Sequence, residues 1–157
     1  MKPRMVLVPL DGTPMAEEAL GAAIGALRAG ATLLLIRAVE SPASPFKEPT
    51  EAQVAAIQEA ETYLAGVADR LDRMGVKDVA TSVWYGAPVK SIADAARYRN
   101  AELIVMTTHG RSGLRRLVLG SVAEGVLRAT TTPVLLLRPR KSAPVLAPIF
   151  SEEAVHV

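Results

Sequence analysis

The chain has 157 residues, half of them hydrophobic, a formal net charge of +2 and no cysteine. That length and apolar content suit one domain with a core of its own and exclude a disordered composition. The missing thiols exclude a disulfide scaffold, a cysteine-ligated zinc ribbon and thiol catalysis, and the near-balanced charge argues against a nucleic-acid binder.

The first segment, MKPRMVLVPLDG, is too short in its apolar run for a secretory signal, because Asp11 closes it. No stretch reaches the roughly 18 apolar residues of a membrane span. The expectation is a soluble cytoplasmic protein. Met5 to Leu10 reads as a buried strand, bounded by Asp-Gly-Thr-Pro. Thr13 as N-cap and Pro14 in the first turn start a helix, with Ala16, Leu20, Ala23, Ile24 and Leu27 at helical spacing and Gly30 as its stop. Residues 31–40, ATLLLIRAVE, form a second buried strand.

SPASPFKEP is a proline-rich loop. From about Thr50 to Met74, Ile57, Ala60, Leu64, Val67, Leu71 and Met74 share one helical face, and Gly75 stops the helix. VKDVATSVWYG is a third strand, with Trp84 and Tyr85 as core or edge packing. APVKSIADAARYRN is a helix carrying Val89, Ile92, Ala93 and Ala96 on one face. AELIVMTTHG is a fourth strand, another helix starts at Ser121, and TPVLLLRP is a fifth strand. Ser121 with Glu124 three residues later spells a capping box. Continuous apolar strands alternating with helices predict a doubly wound α/β domain with a parallel sheet over residues 1–140. Residues 141–157 form a tail, whose Val145, Leu146, Ile149 and Phe150 are apolar enough to pack on the domain or on a neighbour.

Ligands of such sheets bind beyond the carboxyl ends of the strands, where the strand order reverses. THGRSGLRRLVLGS joins one such strand end to a helix start, where unpaired backbone N–H groups and glycine favour a phosphate. Arg111, Arg115 and Arg116 add charge. Glycine in an ordinary loop, followed by a helix cap, accounts for the same residues. There is no GxxxxGK[ST], and the turn after the first strand is DGTP rather than GxGxxG. Asp11 at that turn suits a ribose hydroxyl, a base amino group or a metal; an Asp-Gly turn is its structural alternative. His109 is a phosphate contact, a base or a loop packing group. No GxSxG accompanies it, so a Ser-His-Asp hydrolase is not supported. The acidic pairs Glu17-Glu18 and Glu152-Glu153 are expected on solvated faces, and aromatic residues are too few for a nucleic-acid stacking platform.

MVLVPLDGT, LLLIRAVE and ELIVMTTHGRSGLRRLVLGSVAEGVLRATTTPVLLLRP together resemble the universal stress protein family over roughly residues 3–138. The resemblance implies a strand order of 3-2-1-4-5. It also implies an ATP site: Asp11 with Pro9 and Leu10 toward ribose and adenine, Ala38 on the adenine side, Met106 and Thr107 under the nucleotide, and Gly110, Gly120, Ser121 and Val122 at the phosphates. Mg2+ or Mn2+ would come with the triphosphate. The family pattern is glycine, two residues, glycine, nine residues, then glycine with serine or threonine. Gly110 and Gly120-Ser121 match it, whereas Thr107 stands at the first glycine. Its hydroxyl replaces a backbone contact, or its branched side chain narrows the pocket. The resemblance further implies a homodimer through the fifth strand. The leading reading is an ATP-responsive stress or regulatory module with little or no turnover. The alternatives are an interaction protein of the same fold without nucleotide, motivated by Thr107, and a slow ATPase, motivated by His109.

Overall fold

The computed structural model describes residues 2–40, 51–108 and 119–139. Five strands form one parallel sheet: β1 (Met5–Pro9), β2 (Thr32–Val39), β3 (Val79–Tyr85), β4 (Leu103–Thr107) and β5 (Val134–Leu137), in the order β3-β2-β1-β4-β5. Helices α1 (Pro14–Glu17), α2 (Ala19–Ala26), α3 (Glu51–Arg73), α4 (Pro88–Tyr98) and α5 (Ser121–Ala129) cover it. The expected doubly wound α/β architecture is what the chain adopts. The proline-rich loop, most of the glycine segment and the C-terminal tail lie outside the described residues.

The apolar runs are explained by burial on both faces of the sheet. One face sets Val6, Val8, Leu33, Leu35 and Val105 against α2 and α3, through Leu20, Ala23, Leu64, Val67 and Leu71. The other sets Leu7, Leu34, Ile36, Ile104 and Met106 against α4 and α5, through Ile92, Ala95, Ala96, Ala123 and Val126. Each fully buried leucine or isoleucine contributes about 1.5–3 kcal/mol relative to exposure. Among the described residues, no helix is long and apolar enough to cross a membrane.

Register shows where the sheet opens. β2 pairs with β3 from Leu33↔Val79 to Val39↔Tyr85, and with β1 from Met5↔Thr32 to Pro9↔Ile36. β1 pairs with β4 at Val6↔Leu103 and Leu7↔Ile104, and the Glu102 N–H adds one bond to Met5 O at 2.9 Å. The chain builds outward from β1 to β3 and then returns to build on the other side, so the strand order reverses between β1 and β4.

Several local expectations are corrected. The first helix is broken at Glu18, which ends α1 and starts α2, and it stops at Ala26 rather than Gly30. Gly30, with φ of +72°, instead belongs to the turn into β2. On α4 the fully buried alanines are Ala95 and Ala96; Ala93 is only half-buried. The capping box does not form: Gly120 is the N-cap of α5, without a side-chain cap bond, and Glu124 pairs with Arg128 at 2.8 Å. Trp84 packs against the second core cluster, edge-on to Tyr98, whereas Tyr85 is exposed.

Candidate functional site

At the carboxyl ends of β1, β2 and β4 the structure holds a cavity of about 490 Å³. Pro9, Leu10 and Asp11 line it from β1 and its turn, Ala38 from β2, Met106 and Thr107 from β4, and Gly120, Ser121 and Val122 from the start of α5. The sequence-derived candidates therefore converge on one place, apart from Gly110, which lies outside the described residues, as does His109.

Asp11 is held by its own turn. The Thr13 backbone N–H donates to Asp11 Oδ1 at 2.9 Å and the Thr13 hydroxyl donates to the same oxygen at 2.5 Å. The Thr13 hydroxyl oxygen in turn accepts from the Ala16 N–H at 3.3 Å, capping α1. The structural and the ligand-binding readings of Asp11 are thus compatible: one carboxylate oxygen closes the turn, and the residue still lines the cavity.

The opposite side, lined by Met106, Thr107, Thr108 and the start of α5, is organised by backbone hydrogen bonds. The Thr108 N–H donates to Leu137 O and the Gly120 N–H donates to Thr108 O, both at 2.8 Å. Gly120 is therefore not a free donor. The first turn of α5 begins at Ser121, and with no side-chain cap its leading N–H groups lack intrahelical partners. Thr107 ends β4 and is buried, 7% exposed, in the cavity wall. The position of α5 depends on Gly125, where a Cβ would lie 2.6 Å from Val89 Cγ2 on α4. No other residue type permits that approach without displacement.

Sequence reasoning did not single out Arg37, Glu40, Ala56 and Glu59, which also line the cavity. For Arg37 a signal existed: it is the one charge within the apolar run of β2. Its Nη1 meets Glu59 Oε1 of α3 at 3.3 Å and its Cζ lies 5.1 Å from the Tyr63 ring centroid.

The expected solvated face at Glu17 is wrong. Glu17 is 6% exposed, and Arg70 Nη2 reaches both of its carboxylate oxygens at 3.0 Å. The Tyr63 hydroxyl donates to Glu17 Oε1 at 2.8 Å. Burial, then the Glu17 carboxylate, push the Tyr63 hydroxyl well above its ordinary pKa, with a smaller contribution from Asp11 and an opposing one from Arg70. The cluster ties α1, and with it the Asp11 turn, to α3. Among the described residues no group of three acidic or histidine side chains forms a metal-ligand set.

Residues 3–138 match the sequence pattern of the Universal stress protein family. A protein of Staphylococcus aureus (strain USA300), described as a universal stress protein, is 32% identical over 137 residues, covering 85% of this chain and 82% of its own. Among solved structures, the universal stress protein UspA from Lactobacillus plantarum superposes with a TM-score of 0.76 at 22% identity, over 88% of this chain and 99% of that one. A universal stress protein in complex with cAMP superposes at 0.69 with 24% identity, over 89% and 100% of the two chains. The family pattern covers the whole sheet and the cavity at its edge, and this chain belongs to the universal stress protein family.

Proposed function

We propose that the chain is an ATP-binding universal stress protein, a cytoplasmic, nucleotide-responsive regulatory module with little or no turnover. One observation carries this reading: a single cavity at the strand-reversal edge has a carboxylate on one side and an uncapped helix N-terminus on the other. Such a pair suits a ligand with a hydroxylated, amino-bearing half and an anionic half. Asp11 would accept from ribose or base through Oδ2, because Thr13 occupies Oδ1. The Ala38 backbone would face the adenine, with Met106 and Thr107 beneath. Ser121 and Val122 N–H groups would meet the phosphates, Gly120 would allow close approach, and Gly110 would complete the phosphate side. Mg2+ or Mn2+ would enter on the triphosphate, since the described residues offer no separate ligand cluster. The cAMP complex of a structural relative supports an adenine nucleotide as the ligand class.

Homodimerisation belongs to the same reading. β5 is an edge strand with Leu135 40% exposed, and β5-to-β5 pairing between two copies would cover it. Light scattering at micromolar concentration should give twice the chain mass; a monomer overturns the dimer.

The competing interaction-protein reading rests on Thr107, a branched residue buried in the cavity wall where the family pattern has glycine. Calorimetry separates the two. ATP with magnesium should bind the wild type, and Gly120→Val should weaken it more than tenfold without unfolding. Absence of binding to the wild type, with no nucleotide released from the purified protein by mass spectrometry, favours the interaction protein.

A further inference from the structure

The Arg37 side chain occupies a seat prepared for it. Gly12 has φ of +85°, and a Cβ there would lie 3.2 Å from Nη2, 3.3 Å from Cζ and 3.4 Å from Nη1 of Arg37. Three nearly equal distances mean that the guanidinium lies flat against the glycine. The Tyr63 ring supplies a second contact, 5.1 Å from Cζ. The side chain is 11% exposed, yet among the described residues it makes one hydrogen bond, from Nη1 to Glu59. A guanidinium carries five N–H donors, and none of the Arg37 nitrogens is among the sealed, unpartnered polar atoms of the described residues, so the side chain lines the cavity without a stranded donor. Glu59 is 71% exposed, so that pair is well solvated and does not account for a cation kept at the cavity wall.

We propose that Arg37 is a nucleoside-contacting residue of the cavity, donating hydrogen bonds to neutral acceptor atoms of the ribose or base. This rests on the nucleotide reading given above. Charge and position favour the nucleoside over the phosphates as its partner. Asp11, Glu40 and Glu59 line the same side, so a phosphate there meets more negative charge than positive. The helix terminus that suits phosphate follows β4, two strands from β2 and so about 10 Å away. A neutral sugar or base has no such conflict, and Arg37 can serve it without leaving Gly12 and Tyr63.

The test is calorimetry of adenosine, ATP with magnesium, and tripolyphosphate against wild type and Arg37→Met, with thermal melts to establish folding. Adenosine and ATP should weaken by the same factor, about tenfold for a charged hydrogen bond. Tripolyphosphate should be indifferent to the change. Unchanged adenosine affinity in the folded variant overturns the proposal, and so does a loss confined to ATP and tripolyphosphate, which would make Arg37 a phosphate contact. A wild type that binds neither adenosine nor ATP overturns the nucleotide reading along with it. If Arg37→Met does not fold, NMR on the unmodified protein decides. The Arg37 Nε–H resonance should move on adding adenosine and stay in place on adding tripolyphosphate; the reverse pattern, or no movement with either, overturns the proposal.

Discussion

The two ends of the cavity are made of different material. At the β1–β2 end the polar atoms belong to side chains: Asp11 in its turn, Arg37 against Gly12, and behind them Glu17, Tyr63 and Arg70. At the β4–α5 end the hydroxyls of Thr107, Thr108 and Ser121 stand beside backbone groups, with no charged side chain among the described residues there, and what matters is where a helix begins and how closely it approaches its neighbour. A site of the first kind is rewritten one side chain at a time. A site of the second kind keeps its chemistry under most substitutions and fails when the helix moves.

The largest test of the contrast lies behind the side-chain end. Arg70→Ala leaves the buried Glu17 carboxylate with Tyr63 as its remaining partner and should cost about 3 kcal/mol of stability in urea melts. Glu17→Gln should cost less, about 1 kcal/mol, because Arg70 is 41% exposed and water reaches it. Equal costs would mean that the pair behaves as a surface bridge and that α1 is held by packing alone.

Asp11→Ala should lower adenosine and ATP affinity by similar factors, about 1–3 kcal/mol each. Loss for ATP alone would move Asp11 to the phosphate or metal end and erase the division between the two halves.

At the backbone end the effect is smaller and indirect. Gly125→Ala gains up to about 1 kcal/mol of helix propensity but forces a methyl group against Val89. The net should be about 1 kcal/mol destabilising, with weaker ATP binding as α5 shifts. Val89→Ala in the same chain should recover both, giving a non-additive double-mutant cycle. A Gly125→Ala protein more stable than wild type would show that the two helices do not need the glycine.

Much of this contrast was written in the sequence, unevenly. The order of strands and helices follows from apolar runs and turn residues, because each run must be buried on both faces. Strand order came from the family resemblance, since periodicity carries no information about which strands are neighbours. Glu17 was misjudged because its partner Arg70 is 53 residues away, and local pattern cannot show a tertiary ion pair. The capping box failed for the opposite reason: SVAE is a correct local signal, but the helix begins one residue earlier than that signal requires and Glu124 turns to Arg128. Arg37 was legible as a charge inside β2, but its seat on Gly12 becomes visible only when two strand ends are brought together.

The two-pair ladder between β1 and β4 has a consequence for how the molecule breathes. Partial opening follows the weakest seam, so amides of β4 and β5 are expected to exchange with solvent before those of β2, which is paired along both sides. α2 spans that seam from below, packing on both β1 and β4. A ligand touching Asp11 and Ser121 together would span it from above. Occupancy would then be recorded as slower exchange across the far half of the sheet, at β5 as well as at the residues in contact. Through that seam a small molecule in the cavity would gain leverage over the edge strand, which is 40% exposed at Leu135.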